Sequence, residues 1–273
     1  MADVKISAIK EELMSKGEYR FDDLVKIMQV LRSEEGCPWD REQTHKTIRS
    51  NFIEETYEVI EAIDTDDEKL LREELGDVML QVVFHARMEE ENGGFNIDDV
   101  CSDICKKLIH RHPHVFGTVE VGNSKEVLDV WNAIKNDEKQ RVTVTDKLRA
   151  IPPMLPALMR AEKVGKKAKC FDFTDAESVR AKLSEELAEV DAAVETGNKE
   201  AIEEEIGDLL LTVTSLCRKL DVDSELALTK ATEKFISRFE TLEKETVARG
   251  VDINTATMVE LDKIWDEIKH KNI

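Results

Sequence analysis

Four acidic pairs, spaced alike and repeated at one constant offset, constrain this chain more than any other feature. Glu54-Glu55-x-x-Glu58 is followed by Glu73-Glu74-x-x-Asp77, and Glu185-Glu186-x-x-Glu189 by Glu204-Glu205-x-x-Asp208. Glu55, Glu58, Glu74 and Asp77 thus recur as Glu186, Glu189, Glu205 and Asp208, each 131 residues later. The surrounding words agree as well, EELGDVML beside EEIGDLLL. A fixed internal period means a duplicated unit.

Helical geometry says what each unit presents. At roughly 100° per residue, Glu189 lies near ~300° from Glu186, while Leu183, Leu187, Val190 and Val194 fall at about 40–100°. Glu205 and Asp208 stand in the same relation to Ile202, Ile206, Leu209 and Val213, and the first copy behaves alike. Each repeat therefore predicts two helices with an i,i+3 carboxylate pair at the same border of an apolar stripe. Antiparallel packing through those stripes brings four carboxylates to one side. Left alone they repel and raise one another's pKa values. Hard divalent cations with oxygen ligands relieve this, and Mg²⁺ typically keeps waters and takes phosphate oxygens as further ligands.

The rest of the chain reads as helical too. Periodic apolar positions predict helices over 21–31, 47–64, 67–92, 98–111 and 124–140, then 157–168, 176–196, 199–220, 223–249 and 255–271. Gly and Pro, 11 and 5 residues, are too scarce for the turns of a many-stranded sandwich or barrel. The alternating stretch Val142–Thr145 is too short for a sheet. The fold class is all-α. The predicted organisation is a helical extension over 1–20, a first repeat over 21–140, a linker over 141–156 and a second repeat over 157–273. Three of the five prolines fall in that linker.

Charge and cysteine content exclude several function classes. With 39 Lys+Arg against 59 Asp+Glu, the net charge of −20 lacks the basic footprint of a nucleic-acid binder. No apolar run approaches the roughly 18–20 residues that span a bilayer, and the first 20 residues lack the apolar core of a leader. Five cysteines, without a C-x-x-C spacing, suit a reduced, cytoplasmic protein. Cys101 and Cys105, one helical turn apart, are expected to share core packing, and Trp39 to anchor a helix start. His110, His112 and His114 alternate through a Pro-containing loop without Cys partners, which argues against zinc. Neither a Gly-x-x-x-x-Gly-Lys nor a Gly-x-Gly-x-x-Gly loop is present to cradle phosphates.

Downstream of the acidic pairs the repeat continues. Lys107-x-x-x-Arg111 corresponds to Lys234-x-x-x-Arg238, and Trp131-x-x-x-Lys135 to Trp265-x-x-x-Lys269. Arg238 and the lysines suit residual phosphate charge. With its copy at 185–208, the ordered set of blocks resembles the MazG nucleoside triphosphate pyrophosphohydrolases over roughly 21–271. Gly36-Cys37-Pro38-Trp39-Asp40 and Gln43-Thr44-His45 resemble the opening of that family's first repeat.

The resemblance implies tandem all-α domains, each contributing to a four-helix-bundle-type core completed by homodimerisation. It implies Mg²⁺ dependence, with Mn²⁺ as a substitute, and hydrolysis of nucleoside triphosphates between the α- and β-phosphates. The products would be monophosphate and pyrophosphate, in the service of nucleotide-pool house-cleaning. It also implies Glu186, Glu189, Glu205 and Asp208 as metal ligands, Glu189 being nominated as the base. Lys182, Lys234, Arg238 and Lys269 would be phosphate contacts and Trp265 a nucleotide contact. Lys182 is replaced by Asn51 in the first copy, which also inserts His110–His114. The second repeat is therefore expected to be the working one. Glu55, Glu58, Glu74, Asp77, Lys107, Arg111, Trp131 and Lys135 form a possible second site. The alternative is a helical nucleotide-sensing or protein-interaction module that has lost hydrolysis.

Overall fold

The structure is a computed structural model that describes residues 6–138 and 142–270. Residues 1–5, 139–141 and 271 of the expected extension, helix, linker start and last helix lie outside the described residues. Among the described residues every regular element is helical, and no helix is long and apolar enough to cross a membrane. The chain divides into two compact units, Met1–Asn132 and Ala133–Ile273.

The first unit contains α1 (Ile6–Met14), α2 (Phe21–Leu31), α3 (Pro38–Glu42), α4 (Arg49–Asp64), α5 (Glu68–Glu91), α6 (Ile97–Arg111) and α7 (Pro113–Phe116); α8 (Ser124–Glu138) runs across the boundary. Its centre is the α4–α5 hairpin, with α2 laid on α5. Met28, Ile48, Val83, Phe84 and Met88 form the buried core, with Leu24, Leu31 and Leu80 packed against it.

The segment between α2 and α4 is tightly held. A Cβ on Gly36 would lie 2.2 Å from the Leu31 carbonyl oxygen, so only glycine fits there. The Arg32 guanidinium donates to Glu91 at 2.8 and 3.0 Å, lies 5.3 Å over the Phe84 ring and also donates to the Asp40 carbonyl. Pro38 starts the short α3, at the helix start expected beside Trp39; proline at the first helical position needs no N–H partner. Trp39 is not a packing anchor: it stands 57% exposed. Cys101 and Cys105 are likewise exposed on α6 rather than buried together.

The second unit contains α9 (Val144–Arg149), α10 (Ala157–Lys167), α11 (Ala176–Thr196), α12 (Lys199–Lys219), α13 (Ser224–Ala248) and α14 (Met258–His270), with a 3-10 turn at Lys169–Phe171. α9 falls inside the segment expected as linker, started by a reciprocal Thr143–Asp146 cap. α11 and α12 form the hairpin equivalent to α4–α5, and α13 packs on α14 around Leu242, Ile264 and Ile268.

Two long-range contacts seat α10. Glu162 Oε1 accepts from the Ser224 backbone N–H at 2.7 Å, and Glu225 Oε2 accepts from the Met159 N–H at 3.2 Å. Each helix thus supplies a carboxylate to the other's open N-terminus. Asp172 then pairs with Arg218 at 2.8 and 2.9 Å and with Lys219 at 2.9 Å, tying the 3-10 turn to the end of α12.

Both hairpins close at the same repeat position. Gly197 takes a left-handed φ of 68° between α11 and α12, and Asp66, 131 residues earlier, takes φ 53° between α4 and α5. Asn198 and Asp67 then cap the second helix of each hairpin with side-chain oxygens.

Candidate active site

The hairpins bring together three of the four carboxylates expected in each repeat, leaving out Glu189 in the second and Asp77 in the first, while Leu187, Val194, Ile206 and Val213 of the expected packing stripe stay exposed. In the second repeat, oxygens of Glu186, Glu205 and Asp208 lie within 4.8 Å of one another. Glu186 on α11 is buried, 4% exposed, while Glu205 is half-buried and Asp208 exposed on α12. Burial, followed by the charges of Glu189, Glu204, Asp208 and Glu186, pushes the Glu205 carboxyl up. Glu189 is exposed one turn further along α11 and stands outside the close trio.

Lys182 sits inside this cluster. Its ammonium is 2.9 Å from Glu185, 3.0 Å from Glu186 and 3.7 Å from Glu189. Hydrogen bonds to Glu185 and Glu186 hold its pKa above the ordinary lysine range. The residue expected at the phosphate is thus the counter-ion of the carboxylates themselves.

In the first repeat, oxygens of Glu55, Glu58 and Glu74 lie within 4.8 Å. Asn51 replaces the lysine, so no ammonium stands at that position. Burial first, then the hydrogen bond and charge of Glu58 and the charge of Asp77, raise Glu74 to about 7. Burial, Asp77 and Glu58 raise Glu55 in the same direction. Glu74 is 7% exposed, and its Oε2 is buried with no hydrogen-bond partner. Gln81, which the sequence reading passed over, is buried on α5, 6% exposed, with its Oε1 unpartnered. It lies seven residues after Glu74, hence on the same helix face, and that periodicity was the available signal.

A divalent cation fits these donors. Each cluster offers three carboxylate oxygens within the span of one coordination sphere, and a buried orphaned acceptor in the first needs a cation or a proton donor. Among the described residues, these are the clusters whose geometry suits an ion.

The expected basic and aromatic residues lie on the later helices of each repeat. On α13, Lys234 is exposed and Arg238 half-buried; Trp265 of α14 packs 5.3 Å from the Phe235 ring, and Lys269 pairs with Asp266 at 3.0 Å. In the first repeat Lys107 is exposed, Arg111 is buried with its guanidinium 5.2 Å over Trp131, and Lys135 is half-buried one turn beyond that ring. α12, which carries Glu205 and Asp208, packs on α11 and α13. His112 bonds the Leu108 carbonyl at 2.6 Å, within the His-rich turn.

Residues 43–116 and 174–242 both match the family described as the MazG nucleotide pyrophosphohydrolase domain. The chain is 43% identical over 259 residues to the nucleoside triphosphate pyrophosphohydrolase of Escherichia coli strain K12, covering 93% of this chain and 98% of that protein. Similarity to the nucleoside triphosphate pyrophosphohydrolase/pyrophosphatase MazG of Thermotoga maritima is 42% over 258 residues, 94% and 98% of the two chains. The uncharacterised YabN of Bacillus subtilis is 39% identical over 272 residues, 98% of this chain and 55% of its own length.

Proposed function

The chain belongs to the MazG nucleotide pyrophosphohydrolase family, and on that premise we propose that it hydrolyses nucleoside triphosphates between the α- and β-phosphates. The observation that carries this reading is the convergence of Glu186, Glu205 and Asp208 beside Lys182. Monophosphate and pyrophosphate are the products, and the second repeat does the work.

Glu186, Glu205 and Asp208 would hold Mg²⁺, or Mn²⁺ in its place. The ion supplies Lewis-acid polarisation of phosphoryl oxygens and acidification of water. Glu189, exposed beside the trio, orients the attacking water and takes its proton. That water's oxygen bonds to the α-phosphorus while the bond to the bridging oxygen breaks. Lys182, Lys234, Arg238 and Lys269 hold the phosphate charge, and Trp265 meets the nucleotide. Guanidinium and ammonium donors suit the leaving pyrophosphate because charge accumulates on its oxygens. The task is removal of non-standard or damaged nucleotides from the pool. The five free cysteines support a reducing, cytoplasmic setting.

The working form is a homodimer. Leu187, Val194, Ile206 and Val213, the stripe that should be internal, remain exposed on the α11–α12 hairpin, as do Ile53, Tyr57, Ile60 and Met79 on α4–α5. Burying these apolar faces against a second copy takes them out of water, the driving force for such an association.

Incubation with Mg²⁺, the standard nucleotides and dITP, with products resolved by ion exchange, tests the reading. Monophosphate plus pyrophosphate, abolished by Glu205→Gln and kept by Glu74→Gln, is the expected result. Loss only with Glu74→Gln would move the activity to the first repeat. Mg²⁺-dependent nucleotide binding without turnover would make the chain a sensing module instead.

A further inference from the structure

His45 and His85 form a contact that the second repeat does not reproduce. His45 lies in the turn between α3 and α4, within the Gln43-Thr44-His45 segment, and His85 lies on α5. Their Nδ1 atoms are 2.7 Å apart, and the rings stand 9° from parallel with centroids 5.0 Å apart. The Phe52 ring of α4 backs His85 at 5.8 Å. At the offset of 131 the second repeat has Leu216 and Leu220 where the first has His85 and Glu89. Hydrolysis at the second repeat makes no use of the pair.

Counting ring protons shows what the contact can do. A neutral imidazole has one ring N–H and an imidazolium has two. At 2.7 Å one Nδ1 donates and the other accepts, so the bonded pair has room for three protons on its four nitrogens. That is a single positive charge. It is favoured at His45, whose buried Nε2 stands 2.9 Å from Glu89 Oε1, out of line for a hydrogen bond but inside its field. Other charges stand one step out. Arg32 of α2 donates to the Gln43 carbonyl at 3.3 Å and is neutralised by Glu91, which Arg87 also binds. α4 brings the Phe52 ring to the pair, and Glu42 and Lys46 beside the turn are exposed. A fourth proton would set one N–H against the other. Burial, then the charge of His45, already hold His85 below the ordinary imidazole value.

We propose that His45 and His85 form an acid-operated latch, which holds the turn at 43–48 on α5 while the pair carries at most one charge and releases it when both rings are charged. The bond that breaks is the shared Nδ1–H···Nδ1 contact. Arg32 holds one end of the segment through Gln43, and Ile48, 2% exposed, holds the other in the core, so the opening is local. The turn leads directly into α4, the helix of Glu55 and Glu58, so release loosens the start of the first acidic hairpin.

The test is hydrogen exchange of the full chain between pH 7 and pH 5, corrected for intrinsic rates. An opening that takes up one proton gains about 10-fold per pH unit between the ordinary imidazole value near 6.5 and the depressed one. The Thr47 and Ile48 amides both bond the Thr44 carbonyl, and their protection should fall by about 10-fold or more while the middle of α5 stays protected. His85→Phe keeps a ring against Phe52 but lacks the second imidazole, so its turn should exchange alike at both pH values. Glu89→Gln removes the charge that favours the first proton and should move the transition to lower pH. The histidine Cε1–H resonances give a second readout. His45 and His85 should titrate in two linked steps, reduced to one step for His45 in His85→Phe. Exchange at the turn that ignores pH in wild type overturns the proposal. So does a loss in His85→Phe equal to that of wild type, or a loss that spreads over α5 as unfolding would. No outcome depends on hydrolysis, so the latch and the enzymatic reading stand or fall separately.

Discussion

The Lys182 ammonium lies 3.0 Å from Glu186 Oε1, so the lysine most suited to a substrate phosphate is bound, before any ligand arrives, to a residue suited to the metal. Glu186 is almost fully buried and its partner only about one-third exposed. The pair keeps a cluster of like charges compatible with packing, at the expense of competing with a cation.

Lys182→Met should therefore separate two quantities. Without the ammonium, KM for a nucleoside triphosphate should rise about 10-fold or more, the usual worth of a charge-assisted bond. The Mn²⁺ concentration needed for half-maximal activity at saturating nucleotide should fall. Steady-state kinetics over a grid of metal and nucleotide concentrations checks both.

Acid stability should depend on Asp172. The Arg218 guanidinium, opposed by burial and helped by Lys219, holds its carboxyl well below the ordinary range near 4. Because the folded value is depressed, the contribution is present above the unfolded pKa and is lost as pH falls through the folded one. Asp172→Asn should lower stability at pH 7 by about 2 kcal/mol, less than a fully buried pair would. Its loss on acidification below about pH 4 should be shallower than that of wild type. Urea unfolding from pH 2 to 7 gives the comparison.

The crossed caps of α10 and α13 should behave as one unit. Glu162→Ala and Glu225→Ala each remove an acceptor from an open helix N-terminus, which typically costs about 1 kcal/mol. The Ser224 and Lys166 bonds outweigh burial and keep Glu162 ionised, so its loss should be the larger. A double variant that falls short of additive loss is expected, since the two caps share one helix–helix contact.

Gly36→Ala should destabilise the chain by more than about 2 kcal/mol, because the new methyl meets backbone carbonyls at 2.2 and 2.3 Å rather than a yielding side chain. Thermal melting with Gly17→Ala, where nothing lies within 4 Å, provides the control.

Leu187→Glu should alter assembly rather than folding. The side chain is 54% exposed, so the charge should cost the isolated fold less than about 0.5 kcal/mol. In a dimer that buries the α11–α12 face it should instead shift sedimentation to the monomer at micromolar concentration.

Much of this arrangement is legible in the sequence because its signals are local. The long helices follow from 3.6-residue periodicity, and α11, predicted over 176–196, runs from Ala176 to Thr196. The meeting of Glu55, Glu58 and Glu74 follows from their common place beside an apolar stripe. Short α3 and α7 carry less than two turns of pattern, so apolar periodicity outlines neither of them. The Asp172–Arg218 pair spans 46 residues and leaves no periodic trace. The capture of Lys182 by its neighbours was hidden for another reason. A lysine four residues before a glutamate fits a phosphate contact and an ion pair equally well, and only the packed side chains separate the two. Trp39 misleads in the same way, since an aromatic beside proline signals packing without saying against what.

The two-residue turn Gly197-Asn198 joins helices that carry Glu186, Glu189, Glu205 and Asp208. Residues so near in sequence meet after the closure of a single short loop, a step whose entropy is small and whose timescale is among the fastest in folding. The acidic hairpin is therefore expected to close early, before contacts of greater sequence separation form. Repulsion among these carboxylates then bears on the closing of the hairpin as well as on the chemistry of the finished fold.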